Sequence, residues 1–172
     1  DRLYKRKEKQ GELIMYIGID LGGTNIAAGL VDENANVIGI KSVPTKGDRD
    51  PKEIVKDMAQ AAIDVIKENG YKMEDVKWIG IGSPGSVNRD KGVLVFANNI
   101  NFKNTPIADI MKEYINKPVY IENDANCAAY GESVAGATKG VNHSIAITLG
   151  TGIGGGIIID GKICDDEGNI VG

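Results

Sequence analysis

The chain has 172 residues, 42% of them hydrophobic and 26% charged, enough apolar content to bury one domain and part of a second. Its net charge of -4 gives no general pull toward nucleic acid or anionic membranes. No apolar run reaches the roughly 20 residues of a membrane span.

Residues 1–14, DRLYKRKEKQGELI, are charged and mostly basic. They read as an extension outside the fold, either upstream or appended sequence or a mobile arm. A nucleic-acid-binding arm through Lys5, Arg6, Lys7 and Lys9 is the lesser reading, because short charge runs are usually just solvated. From Met15 the pattern sharpens. MYIGID is a short apolar strand, LGGT a turn, NIAAGLVD a second strand and VIGIKSVPT a third, which together predict an antiparallel meander. The first apolar stretch, Ile14 to Ile19, is too short for a secretory signal and runs into Asp20.

A helix follows, with Asp50 as N-cap, Pro51 at its first position, Glu53 completing a capping box and Gly70 ending it. VKWIGIGSPG is then a strand and turn, and GVLVFAN a hairpin strand. A helix runs from Thr105-Pro106 to about Asn116. PVYIEN is a strand, DANCAAYGESVAG an Ala-rich helix and SIAITLG a strand. A Gly-rich turn leads into GGGIIIDGKI, read as one strand with an open apolar edge at Ile157, Ile158 and Ile159. This order predicts an α/β fold with a mixed sheet and helices on its faces. Residues 15–140 are expected to form a first domain and 141–172 the start of a second. Cys127 and Cys164 lie far apart and make no CxxC pair, which reads as a reduced cytoplasmic protein with incidental thiols.

Three motifs carry chemistry. In Asp20-Leu21-Gly22-Gly23-Thr24-Asn25, paired glycines let backbone N–H groups converge on one anion, and Thr24 and Asn25 add side-chain donors. Asp20 fits beside a phosphate when a hydrated Mg²⁺ lies between them. A plain hairpin turn is the other reading. In Leu149-Gly150-Thr151-Gly152-Ile153-Gly154-Gly155-Gly156 the same strand, Gly/Thr turn and strand recur. Walker A is excluded, since no GKS or GKT is present. The GxGxxG of a dinucleotide fold is excluded too, since a strand rather than a helix follows. In Glu122-Asn123-Asp124-Ala125-Asn126 a strand passes into a helix. Asp124 reads either as the helix cap or as the acceptor of a hydroxyl proton during phosphoryl transfer, and the helix N-terminus favours its ionised form.

Taken together, DLGGTN, GSPGSV, ENDAN and LGTGIGGG, in this order, resemble the ROK group of sugar kinases within the actin-like ATPase superfamily, and bacterial glucokinases most of all. The likeness runs from about Met15 to Ile163. It implies a ribonuclease-H-like domain of the actin/hexokinase type, followed by the first β-hairpin of a second such domain. It implies ATP and Mg²⁺, with Asp20, Gly22, Gly23, Thr24 and Asn25 as first phosphate loop and Thr148, Gly150, Thr151 and Gly152 as second. Asp20 holds Mg²⁺ through water on this reading. Asp124 matches the catalytic base, and Gly85, Ser86, Asn99, Asn123 and Asp124 match sugar contacts. The implied reaction converts glucose to glucose 6-phosphate, with a cytoplasmic homo-oligomer and no nucleic acid or membrane as partner.

Departures from the family pattern are equally plain. The segment from Cys164 to Gly172 does not match the expected continuation into a second domain with its Glu/His sugar-binding segment. The family's zinc site of one His and three Cys is not matched by His143 and Cys164. Phe102 stands where many relatives carry Trp. Kinases for another hexose or an N-acetylhexosamine, a truncated inactive family member, and a sugar-responsive regulator are the competing readings. The regulator needs a DNA-binding domain that fourteen residues cannot form.

Overall fold

The computed structural model describes residues 14–150, 152–164 and 170–171. A five-stranded sheet forms the frame. Strands β1 (Met15–Leu21), β2 (Asn25–Asp32) and β3 (Val37–Pro44) make the expected meander. Helix α1 (Pro51–Glu68) and a short 3-10 turn lead to β4 (Val76–Ser83). Next come β5 (Ser86–Asn88), β6 (Val93–Phe96) and β7 (Lys103–Thr105), followed by α2 (Ile107–Tyr114). Strand β8 (Val119–Asn123) runs straight into α3 (Asp124–Ala135). The chain ends in β9 (Ser144–Leu149), β10 (Ile153–Ile159), β11 (Lys162–Cys164) and β12 (Ile170–Val171).

The main sheet has the order β3-β2-β1-β4-β8. The β1–β2 and β2–β3 pairs are antiparallel, whereas β1–β4 and β4–β8 are parallel. This is the mixed sheet that the element order predicts. Along β1 the residues alternate: Met15, Ile17, Ile19 and Leu21 are buried, while Gly18 and Asp20 are exposed. The buried set joins Ile54, Val55, Met58, Ala62 and Val65 of α1 and Ile107 and Met111 of α2 in one core. The parallel strands β1, β4 and β8 therefore bring their carboxyl ends to a common edge, where open α/β sheets bind ligands.

Helix α1 starts as the capping residues dictate. Asp50 accepts from the Lys52 N–H at 2.8 Å and Pro51 occupies the first turn. The expected capping box with Glu53 gives way to this simpler cap, and the Glu53 N–H bonds the Asp50 carbonyl at 3.0 Å. Gly70, at φ +77, ends the helix with the Tyr71 N–H on Ile66 O and its own N–H on Lys67 O, the paired bonds of a Schellman motif.

The stretch around GVLVFAN is the expected hairpin strand: β6 pairs antiparallel with β5 and forms the centre of a separate three-stranded sheet, β5-β6-β7. Two details differ from the sequence expectation. Helix α2 ends at Tyr114, two residues early, because Ile115 turns extended. GGGIIIDGKI is two strands. Asp160 and Gly161 both take positive φ, 51 and 74, and close a two-residue hairpin turn between β10 and β11. Ile157 and Ile158 thus pair on both sides, with β9 and β11, Ile159 pairs with Lys162 of β11, and the run is not an open edge. That edge belongs to β9.

Candidate functional site

The first Gly turn closes at the end of β1. The Gly22 N–H bonds the Asn25 carbonyl at 3.0 Å, and a Cβ on Gly22 would stand 2.8 Å from that same oxygen. Only glycine fits so tight a return. Gly23, Thr24 and Asn25 are exposed at its tip. Thr45, fully buried at the end of β3, braces the turn twice: its hydroxyl donates to Gly22 O at 2.7 Å and its N–H to Thr24 O at 2.8 Å. Sequence reading missed Thr45, since nothing local distinguishes it from any threonine after a strand.

Asp20 lies in register with Gly82 of β4, and Gly82 with Glu122 of β8. Asn123 and Asp124 follow at once, so both candidate carboxylates stand at the carboxyl edge. Partial desolvation at the sheet edge raises the pKa of Asp20, although its side chain keeps access to solvent, and the charge of Asp124 raises it further. Beneath them lies Cys127 of α3, whose Sγ is 3.4 Å from where a Gly82 Cβ would be. Burial first, then the charges of Glu122, Asp124 and Asp20, push its thiol up to about 12, with Arg89 opposing.

The start of α3 assigns the helix cap. Asn123 is the cap: its Oδ1 accepts from the N–H groups of Ala125 at 3.0 Å and Asn126 at 3.3 Å. Asp124 is the first helical residue and is exposed, so its carboxylate is not committed to capping, although it also accepts from the Ala125 N–H at 2.8 Å. Asn123 has correspondingly less to offer a ligand. Its oxygen is used by the cap and one amide hydrogen goes to Gly85 O at 3.1 Å, which leaves one N–H.

The second Gly turn divides its glycines by task. A Cβ on Gly150 or Gly152 would meet nothing within 4 Å, so the turn itself is open, with the Gly150 N–H on Gly152 O at 2.9 Å. Gly154 and Gly156 serve packing instead. A Cβ on Gly154 would stand 3.1 Å from Ala125 Cβ, and one on Gly156 would stand 2.6 Å from Ala129 Cβ and 2.8 Å from Ala125 O. These glycines seat β10 directly on α3. Because Gly156 faces the second turn of the helix and Gly154 the first, the chain running back to Gly152 overhangs the helix N-terminus, where Asp124 stands. Thr148 is half-buried opposite Gly154, and Thr151 lies outside the described residues.

The expected sugar loops converge on the same edge. Gly85, at φ +83, sits so close to the Phe96 carbonyl that a Cβ would collide with it. Ser86 pairs with Phe96 and is exposed. Asn99, exposed on the loop after β6, has its Cβ 3.3 Å from where a Gly23 Cβ would stand. The first Gly turn, Gly85, Ser86, Asn99, Asn123 and Asp124 thus gather around the ends of β1, β4 and β8, whereas Thr148, Gly150 and Gly152 lie on the β9–β10 hairpin, which packs on α3. His143 lies elsewhere, where its Nδ1 accepts from the Asp160 N–H at 3.2 Å.

The profile of the ROK family matches residues 16–171. A glucokinase from Streptomyces coelicolor is 43% identical over 147 residues, covering 86% of this chain and 44% of the relative. An N-acetyl-D-glucosamine kinase from Yersinia pestis is 35% identical over 158 residues, covering 92% of this chain and 60% of the relative. The crystal structure of a ROK family glucokinase from Streptomyces griseus in complex with glucose and AMPPNP superposes with a TM-score of 0.79 at 40% identity, covering 87% of this chain and 46% of that one. The chain spans about half the length of these relatives. The Gly turns, the β8–α3 junction and the sheets that carry them are accordingly elements of one recognised fold, and the chain belongs to the ROK family.

Proposed function

We propose that this chain contributes the phosphate-binding and catalytic elements of an ATP-dependent hexose kinase that converts glucose to glucose 6-phosphate. The observation that carries the reading is the first Gly turn and an exposed Asp124 at one sheet edge, with the hairpin of the second Gly turn packed on α3 through Gly154 and Gly156. The likeness to a glucokinase whose structure holds glucose and AMPPNP supports it. Residues 15–140 form the first domain on this reading, and 141–172 begin a second.

The sugar lies between Asn99, Gly85, Ser86 and the remaining N–H of Asn123. Its C6 hydroxyl approaches Asp124, which accepts the proton as the C6 oxygen forms its bond to the γ-phosphorus and the bond from that phosphorus to the departing ADP oxygen breaks. The turn residues Gly22, Gly23, Thr24 and Asn25 hold the ATP phosphates from one side. Thr148, Gly150, Thr151 and Gly152 hold them from the other. The donor set suits a hard divalent cation. Asp20 carries an oxygen-donor carboxyl whose ionisation is already opposed by burial and by Asp124, and a nearby Mg²⁺ would relieve that opposition. Asp20 would hold the ion, through water, and the ion would supply charge neutralisation on the phosphates. Cytoplasmic location and homo-oligomeric assembly belong to the same reading. Among the described residues no helix is long and apolar enough to cross a membrane.

The test is a coupled assay with ATP and Mg²⁺ on an enzyme carrying the span that relatives have beyond this chain. Glucose is expected to outperform N-acetylglucosamine, N-acetylmannosamine, fructose and allose. The 172-residue chain alone is expected to give no turnover, since closure of two domains completes the site. A second reading, a kinase for N-acetylglucosamine, is favoured by the Yersinia relative and is decided by the same sugar panel.

A further inference from the structure

Among the described residues, Glu122 is the most connected side chain near the site, and the proposed phosphoryl transfer does not use it. It lies at the end of β8, with only 16% of its side chain exposed. Its Oε1 accepts from the Asn123 N–H at 2.7 Å, from Asn126 Nδ2 at 3.1 Å and from Arg89 Nη2 at 3.2 Å. Its Oε2 pairs with Arg89 Nε. The guanidinium thus takes both carboxylate oxygens, a two-point contact that fixes orientation as well as distance. Asn126, itself buried, returns its backbone N–H to Asn123 Oδ1.

The network joins two pieces of chain that the kinase reading requires to stay in register. Arg89 directly follows β5, the strand that begins with Ser86. Asn123 directly precedes Asp124, and it is gripped at its N–H by Glu122, at its oxygen by the first turn of α3 and at its amide hydrogen by Gly85 O. The sugar loop and the proton acceptor are therefore tied at both ends. Gly85–Asn123 is the near tie and Arg89–Glu122 the far one.

We propose that Arg89 and Glu122 are positioning residues that set the sugar loop, Gly85 and Ser86, against Asp124, and so govern sugar turnover without touching the sugar. The proposal rests on the kinase reading. Removing Arg89 leaves Glu122 with its Asn123 and Asn126 donors, so the β8–α3 junction keeps its own bonds while the loop after β5 loses its anchor. Misplacing a reacting group by about 1 Å costs on the order of 100-fold in rate.

In the enzyme carrying the span its relatives have beyond this chain, Arg89→Gln is expected to lower kcat/KM for the sugar roughly 10- to 100-fold. KM for ATP and the melting temperature should stay near those of the parent. Arg89→Lys should recover part of the loss, because a single ammonium cannot reproduce the two-point contact. The double variant Arg89→Gln/Glu122→Gln should cost less than the two single losses multiplied, as members of one network do. Sugar kinetics within twofold of the parent, or equal losses in sugar turnover, ATP affinity and stability, would overturn the proposal. A second arm uses the 172-residue chain and needs no activity. Arg89→Gln is expected to speed hydrogen exchange in residues 83–89 and 122–127 together and to leave 15–21 unchanged. Faster exchange in only one of the two segments would break the proposed link. Failure of the parent enzyme to phosphorylate any hexose would sink the kinase reading, and the exchange arm would then decide the link by itself.

Discussion

The charge of Asp124, the first residue of α3, reaches Asp20 near the end of β1 and adds to the larger effect of burial in raising the pKa of Asp20. Two acidic groups held this way work against the fold. A carboxyl whose folded pKa lies above its unfolded one stabilises the protein fully below the ordinary carboxylate range, and that stability is lost as pH rises through the folded value. Asp20→Asn removes the titration. Its melting temperature is expected to equal or exceed the parent's at pH 7, with the difference closing as pH falls below about 4. Thermal melts from pH 3 to 8 check this, and a variant less stable at pH 7 would mean that Asp20 is a structural acceptor. The same substitution should remove activity if Asp20 holds the cation.

Asp124 is separable from the helix cap, because Asn123 is the cap. Asp124→Asn is therefore expected to leave stability nearly unchanged while turnover falls by ~10²–10⁴, the usual worth of a positioned proton acceptor, with little change in sugar binding. Asn123→Ala should do the reverse in the melt and cost about 1 kcal/mol of helix capping. Calorimetry and steady-state kinetics on the pair distinguish the roles. Near-normal turnover in Asp124→Asn would return that residue to structure alone.

The meander was legible because alternation in MYIGIDL and NIAAGLVD is a local property of the chain, as are the paired glycines between them. The Asp160-Gly161 hairpin carried its signal too, a DG pair between apolar runs, but the continuous stretch of isoleucines masked it. Which of Asn123 and Asp124 caps α3 was beyond sequence, since both are good caps and a one-residue shift exchanges their jobs. The double role of the GIGGG run was hidden for another reason. Gly154 and Gly156 are small because α3 passes over them, a contact spanning some thirty residues. Arg89 and Glu122 are 33 residues apart, and only the packing of β5 against β8 in the folded chain makes them partners.

Cys127 offers a probe of the site that needs no second domain. With the thiol pushed up to about 12, its thiolate fraction at pH 8 is roughly a thousandfold below that of an ordinary cysteine. Iodoacetamide should label Cys127 very slowly in the native chain and at the normal rate in urea, read residue by residue by mass spectrometry. Glu122→Gln removes the second-largest cause of the shift and is expected to quicken native labelling. Rapid labelling of Cys127 in the native chain would show that the floor of the site is open to solvent.

The last expectation concerns the β9–β10 hairpin. Its residues alternate between two faces. Gly156 and Ile158 of β10 are buried on the side that meets α3. The other face carries Ile145, Ile147, Leu149, Ile153 and Ile157, which are 71%, 69%, 80%, 83% and 44% exposed. Strand β9 is also the edge of its sheet, and its sequence SIAITL contains neither a charge nor a proline to blunt it. An apolar face beside an open edge favours pairing with a second copy. The 172-residue chain is expected to elute above its 18.3 kDa monomer mass, with the apparent mass rising with concentration in light scattering. Ile147→Lys places a charge at the centre of that face, away from α3, and should restore the monomer without lowering the melting temperature of the main sheet. A parent chain that stays monomeric at high micromolar concentration would show that five exposed aliphatic residues on an open edge are tolerated here, and that the hairpin does not drive assembly.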